Sequence, residues 1–315
     1  MSNDRAILGL VFCITVGYSC IAIGQSEKAK WELANALPPY TPSECVAPNA
    51  RERSLLELAV SVIETVGEDN INSLDIGAQK YLARNQFRSE GSRRVAVCTP
   101  DDILRRLAAG FDMRKGFGKG RLVEYQLKLA ARLPTRSPYI VEAVGKSAFN
   151  ANIQESDTFR RRDIRPFART VLAGFGAESR AFQTLAYEQM SIKDSLGTGA
   201  AQVAAATGYP GALPRIERMM QETLAAIPAD KAIPRATRDR LYELAWAINF
   251  SGDSGRRHTK PIHLMMQRKV QSWAPPFGMV ELRPKRLCSV LRRIEGADSV
   301  KPYVFCLDEK VPFEQ

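Results

Sequence analysis

Gly116-Phe117-Gly118-Lys119-Gly120 lies between Arg114, Lys115 and Arg121, and this run has the makings of a phosphate cradle. Glycines free backbone amides to converge on an anion, the cations add charge, and a helix start follows. The GK[ST] ending of a P-loop is missing and no strand leads in, so no nucleotide fingerprint applies. A second anion candidate is Arg160-Arg161-Arg162 with Arg165 and Arg169, because guanidinium forks suit carboxylate and phosphate. These cations stand at a helix start, the unfavourable end of the dipole, which favours an acidic neighbour or ligand there. The catalytic candidate is Glu64, with Glu68 and Asp69 just beyond its helix. An all-helical enzyme that cuts cell wall can use one glutamate in an apolar cleft as general acid.

Gly252-Asp253-Ser254-Gly255 copies the tetrapeptide around the nucleophile of trypsin-like proteases. That mechanism needs a histidine within hydrogen-bond reach and an acid to orient it. Both histidines, His258 and His263, follow the serine, and the surroundings have helical patterning, so residues 251–255 read as a loop. The two histidines are five apart, off the i, i+4 spacing of a zinc-binding pair, and no Cys or Glu ligand accompanies them. The sequence implies neither a metal nor a cofactor.

The elements that must position these groups are mostly helices. Arg53 to Val66 carries Leu55, Leu58, Val62 and Ile63 at helical spacing and stops at Gly67. Thr99-Pro100-Asp101-Asp102 is a helix start with a hydroxyl cap, proline at N1 and acids in the first turn. Helices are also expected over Arg121–Leu133, Pro138–Phe149, Arg162–Ala173, Glu178–Met190, Asp194–Thr207, Ala212–Ile227, Thr237–Asn249 and Thr259–Trp273. The prolines of Trp273-Ala274-Pro275-Pro276 end the helical pattern. Beyond them Met279–Leu282 and Tyr303–Leu307 are β-prone and flank a short helix over Pro284–Ile294. A two-stranded pairing of those segments, clamped by Cys288 and Cys306, would close the tail onto the body.

Location follows from the N-terminus and the cysteines. Ala6 to Gly24 is nineteen residues without a charge. As a helix it would span roughly 28 Å, close to the hydrocarbon thickness of a bilayer. It reads as a transmembrane anchor or a signal peptide ending at Ala22-Ile23-Gly24. Outside it, Cys45, Cys98, Cys288 and Cys306 form an even set without CxxC spacing, as an oxidising compartment produces. A Cys288–Cys306 bridge would contribute ~3 kcal/mol and a Cys45–Cys98 bridge ~4 kcal/mol by chain entropy.

The net charge is +11, from 45 Lys and Arg against 34 Asp and Glu, and the hydrophobic content of 45% indicates a packed body. GAAQVAAATG followed by ALPRIERMMQETL resembles a HEAT or armadillo-like repeat. There a first helix of small residues (Ala200, Ala201, Ala204, Ala205) admits a second through Ile216, Met219, Met220 and Leu224. The resemblance covers residues 162–271 and implies stacked antiparallel hairpins with an extended surface for partners.

The expectation is therefore a mainly all-α chain with a small disulfide-stapled α+β tail. Its segments are an anchor or signal peptide (1–24), a linker (25–50), a helical region (51–160), a helical-repeat region (161–272) and a C-terminal subdomain (273–315). The expected function is a membrane-anchored or exported cell-envelope binding module on the periplasmic side. Residues 6–24 would meet the membrane, and a basic surface would take an anionic polymer or a protein partner. Alternatives are a wall hydrolase using Glu64 and, with reduced cysteines in the cytosol, a nucleic-acid binder.

Overall fold

Residues 45–65, 87–90, 93–109, 127, 130–131, 137–149, 165–274 and 278–307 are described by the structure, a computed structural model. Among them no helix is long and apolar enough to cross a membrane, and the apolar segment 6–24 lies outside them. The described chain is mostly helical.

The expected linker ends in ordered structure. Strand β1 (Cys45–Val46) pairs in parallel with β3 (Arg93–Val97), which pairs antiparallel with β2 (Phe87–Glu90). The sequence reading had only helix in 51–160, because strands this short leave too few residues to show a period. Val95 and Val97 are buried, and Cys45 bonds to Cys98 with Cα atoms 5.0 Å apart. Asn49 and Glu52 then form a reciprocal capping box, each side chain accepting from the other's backbone N–H at 2.8 and 2.9 Å. The box opens α1 (Ala50–Thr65).

Helix α2 (Asp101–Ala109) starts behind Pro100, whose carbonyl accepts from Leu104 N–H at 3.0 Å, and its Ile103, Leu104 and Leu107 are buried. Leu127, Ala130 and Ala131 are helical and buried. Helix α3 (Pro138–Phe149) has its expected bounds, with Ile140, Val141, Val144 and Ala148 turned inward. After α4 (Arg165–Gly174) the chain tightens into a 3₁₀ helix, Gly176–Phe182, before α5 (Gln183–Gln189). One continuous helix over Glu178–Met190 was expected. Gly145 in α3 explains part of the departure: a Cβ there would collide with the Phe182 ring, so the turn is set by that ring's seat.

Helix α6 (Ser195–Ala206) is capped by Asp194, whose carboxylate accepts from Leu196 N–H at 2.7 Å. Nearly every residue from Gly197 to Ala205 is buried, as in a helix enclosed on all sides. It packs against both α4 and α8 (Arg235–Phe250). Its small side chains permit that, and a polar ladder fixes the register: Thr170 donates to Gln202 at 2.9 Å, and Gln202 donates to Glu243 at 2.6 Å. Helix α7 (Ala212–Ala225) buries Ile216, Met220 and Leu224 in the same core.

The C-terminal part corrects two expectations. Thr259–Trp273 is not one helix: α9 (Lys260–Met266) stops and the chain turns into β4 (Val270–Ala274). Three contacts win over helix periodicity there. Ile233 brackets Val270 by N–H to Lys269 C=O at 2.9 Å and by C=O to Gln271 N–H at 2.8 Å. Arg238 donates to the Gln271 carbonyl at 2.8 Å, and β5 (Gly278–Leu282) completes an antiparallel pair. Consequently β5 does not pair with Tyr303–Leu307. That segment holds a short 3₁₀ helix, Val304–Cys306, bonded through Cys306 to Cys288 of α10 (Arg286–Glu295). The staple is present, but it clamps helix to turn.

Candidate functional site

A hydroxyl, an imidazole and a carboxylate come together where α9, α10 and the tail meet. Pro261 in the first turn starts α9 and places His263 on its outer flank, about one-third exposed. Gly296 at φ 100° ends α10 directly after Glu295 and returns the chain toward α9. Tyr303 follows a 3₁₀ turn, Ala297–Val300. The His263 Nδ1 is 2.8 Å from the Tyr303 hydroxyl, and Nε2 is 3.1 Å from both Glu295 carboxylate oxygens. In a neutral imidazole these partners put the proton on Nε2, so that Tyr303 O–H donates to Nδ1 and Nε2–H donates to Glu295.

A hydroxyl, a base and an orienting acid in that order resemble an activated nucleophile. The electrostatics run the other way. Burial, reinforced by the negative charge of Glu295, pushes the Tyr303 phenol above its ordinary range. A nucleophilic phenol needs the opposite shift, and both imidazole nitrogens are already engaged. The trio thus joins three segments as a proton-ordered clamp beside the Cys288–Cys306 bridge.

The second histidine makes a similar join. His258 Nδ1 lies 2.7 Å from Glu217 of α7, whose other oxygen accepts from Gln221 at 3.0 Å. His258 closes the 3₁₀ helix Gly252–His258 that contains the protease-like tetrapeptide. Ser254 there is exposed and not bonded to the histidine, while Gly255 sits so close to α8 that a Cβ would fall 2.6 Å from the Ile248 carbonyl oxygen. Gly-Asp-Ser-Gly serves packing. Among the described residues no group of three His, Cys, Asp or Glu side chains is placed to hold a metal.

Arginine is used differently from the expected anion clamp. Arg169 is 2% exposed and donates to Ala148 C=O, Leu196 C=O and the Gln189 side chain, with its guanidinium 4.5 Å from the Phe149 ring centre. It cross-links α3, α4, α5 and the start of α6, and so does not share a surface fork with Arg165, which is half-buried at the first position of α4. Arg268 donates to the carbonyls of Leu224, Ile227, Pro228 and Lys231, tying the loop after α7 to the helix's last turn. Arg256 and Arg292 likewise donate to Ile294 and Cys306 carbonyls.

Of the other candidates, Glu64 lies in the last turn of α1, and its side chain is outside the described set. Glu68, Asp69, Arg114, Lys115, Lys119, Arg121, Arg160, Arg161 and Arg162 also lie outside the described residues. The roles of Glu295 and Tyr303 were missed because they meet His263 across 32 and 40 residues, a distance no local spacing records. No protein-family model, curated protein or solved structure matches the chain.

Proposed function

We propose that this protein is an exported cell-envelope binding module, held at the membrane by residues 6–24, whose basic surface takes an anionic polymer or a protein partner. The observation that carries the reading is the pair of disulfides, Cys45–Cys98 and Cys288–Cys306, both formed within ordered structure. Paired cysteines belong to oxidising surroundings. Binding is favoured over catalysis because, among the described residues, the hydroxyl–histidine–acid arrangement of Tyr303, His263 and Glu295 is tuned against nucleophilic use. Arg218, Arg257 and Lys260 stand exposed on packed neighbours around the His258–Glu217 pair, on α7, the 3₁₀ helix and α9. They offer charge to an anion beside the stacked-helix surface that a HEAT-like array would present.

Labelling intact cells with a membrane-impermeant thiol reagent, with and without reductant, tests the location. Labelling at positions 45, 98, 288 and 306 only after reduction supports export; free thiols in a cytosolic fraction overturn it. Adding Glu64→Gln to a wall-degradation assay separates binding from hydrolysis, since a wall cut by wild type and spared by the variant makes the protein an enzyme.

A further inference from the structure

The hairpin of β4 and β5 has two unlike faces. Val270 and Ser272 point into the core and are fully buried. On the outer face Trp273 stands opposite Met279, 42% and 51% exposed. Cross-strand neighbours on one face lie about 5 Å apart, so these two form one apolar patch near the turn. The next outer pair is Gln271 and Glu281; Lys269 and Arg283 follow one residue beyond the paired segments, with the Arg283 guanidinium 3.4 Å from the Gln267 carbonyl it donates to. Lys269 lies 3.7 Å from Glu281, so Lys269, Arg283 and Glu281 together leave this end with one net positive charge. The outer face thus grades from an exposed tryptophan–methionine end to a basic end, about 13 Å along the strands.

That gradient matches the depth profile of a lipid interface. Tryptophan prefers the headgroup boundary, apolar faces bury about 5–10 Å there, and cations behind them meet the phosphates. Trp273 and Met279 also differ from the other exposed large apolar side chains in facing each other across a strand pair, which makes them one patch. The residues 25–44 reach at most roughly 70 Å when extended, so a chain tethered by residues 6–24 keeps this face within reach of the bilayer. We propose that the outer face of the β4–β5 hairpin docks on an anionic lipid surface, with Trp273 and Met279 entering the interface and Lys269 and Arg283 meeting the phosphates. This inference rests on the export reading above and specifies how the body lies against its membrane.

The test uses the full chain with vesicles of phosphatidylcholine alone or equimolar phosphatidylcholine and phosphatidylglycerol, each with brominated acyl chains. Subtracting the Trp273→Phe spectrum from wild type isolates Trp273 from the other two tryptophans. Expected is quenching of Trp273 severalfold stronger on the anionic vesicles, falling about fivefold for each cation removed in Lys269→Gln and Arg283→Gln. Met279→Ser weakens it while leaving the urea midpoint unchanged. Equal quenching on both vesicles, or none while the chain floats with its disulfides formed, overturns the docking face and leaves export standing. Protection of Trp273 from soluble acrylamide that grows with protein concentration, without lipid quenching, assigns the face to a second copy and also overturns the proposal. Free thiols in the cell would instead strike the export reading itself.

Discussion

Arg268 shows how much of this chain's charge is spent on its own backbone. One side chain reaches four carbonyls, that of Leu224 in the last turn of α7 and those of Ile227, Pro228 and Lys231 in the loop that follows. We expect Arg268→Met to lower stability by about 2 kcal/mol in urea unfolding, since the carbonyls lose a charged donor while the apolar stem is kept. Arg268→Lys should recover only a minor part, because an ammonium cannot spread across the four positions. Tyr303 yields a pH prediction. Its folded-state pKa lies above the unfolded value, so the folded form holds the proton longer. Its stabilising share is complete below about pH 10 and is lost as pH rises toward the folded pKa. Alkaline titration of the tyrosinate absorbance should show a late-ionising group that disappears in Tyr303→Phe, and the variant should lose less stability on going alkaline. A Tyr303 that titrates with the exposed tyrosines would remove the clamp. Neither role was legible in sequence: Arg169 is grouped there with Arg160–Arg162 as an anion candidate because its carbonyl acceptors, such as Ala148 21 residues away, carry no residue-type signal.

Elements bounded by local chemistry were readable, and those bounded by distant contacts were not. Helix α3 begins at its proline and ends where expected, and α6 begins behind the Asp194 cap, because caps and apolar spacing decide both. The span Thr259–Trp273 failed since β4 is held by Ile233 and β5, partners that no window around residue 270 contains. The Tyr303–Leu307 strand failed in the same way, its backbone captured by Arg292 and the disulfide. The glycines at tight joints are a sharper test of the described packing. A Cβ on Gly197 would run into the Ile192 carbonyl, a backbone group that cannot rotate aside. Gly197→Ala should therefore destabilise by roughly 2–3 kcal/mol as an overpacking change. Gly145→Ala meets only the Phe182 ring, so a paired Phe182→Leu should restore part of its loss. Equal thermal stability of Gly197→Ala and wild type would mean that the approach of residue 192 to α6 is looser than described.

At the scale of the molecule the two disulfides hold opposite ends of the described chain, one at the small sheet and one at the tail, with the α4–α6–α8 stack between them in sequence. Among the described residues no extensive element packing joins the small sheet to α10, so their contributions should add. Sequence separations of 53 and 18 give about 4 and 3 kcal/mol by the chain-entropy account. Their sum, about 7 kcal/mol, rivals the whole stability of an ordinary domain, ~5–15 kcal/mol. A fully reduced chain should then sit at the edge of unfolding, so the fold depends on its bridges being closed. Urea unfolding of the oxidised chain, of Cys45→Ser/Cys98→Ser, of Cys288→Ser/Cys306→Ser and of the fourfold variant measures this directly. The expected outcome is two separate losses and a fourfold variant that falls by their sum. A fourfold variant within about 1 kcal/mol of wild type would detach the fold from its cysteines. The location drawn from them would lose its physical basis as well, because a protein indifferent to its bridges can fold in a reducing cytosol.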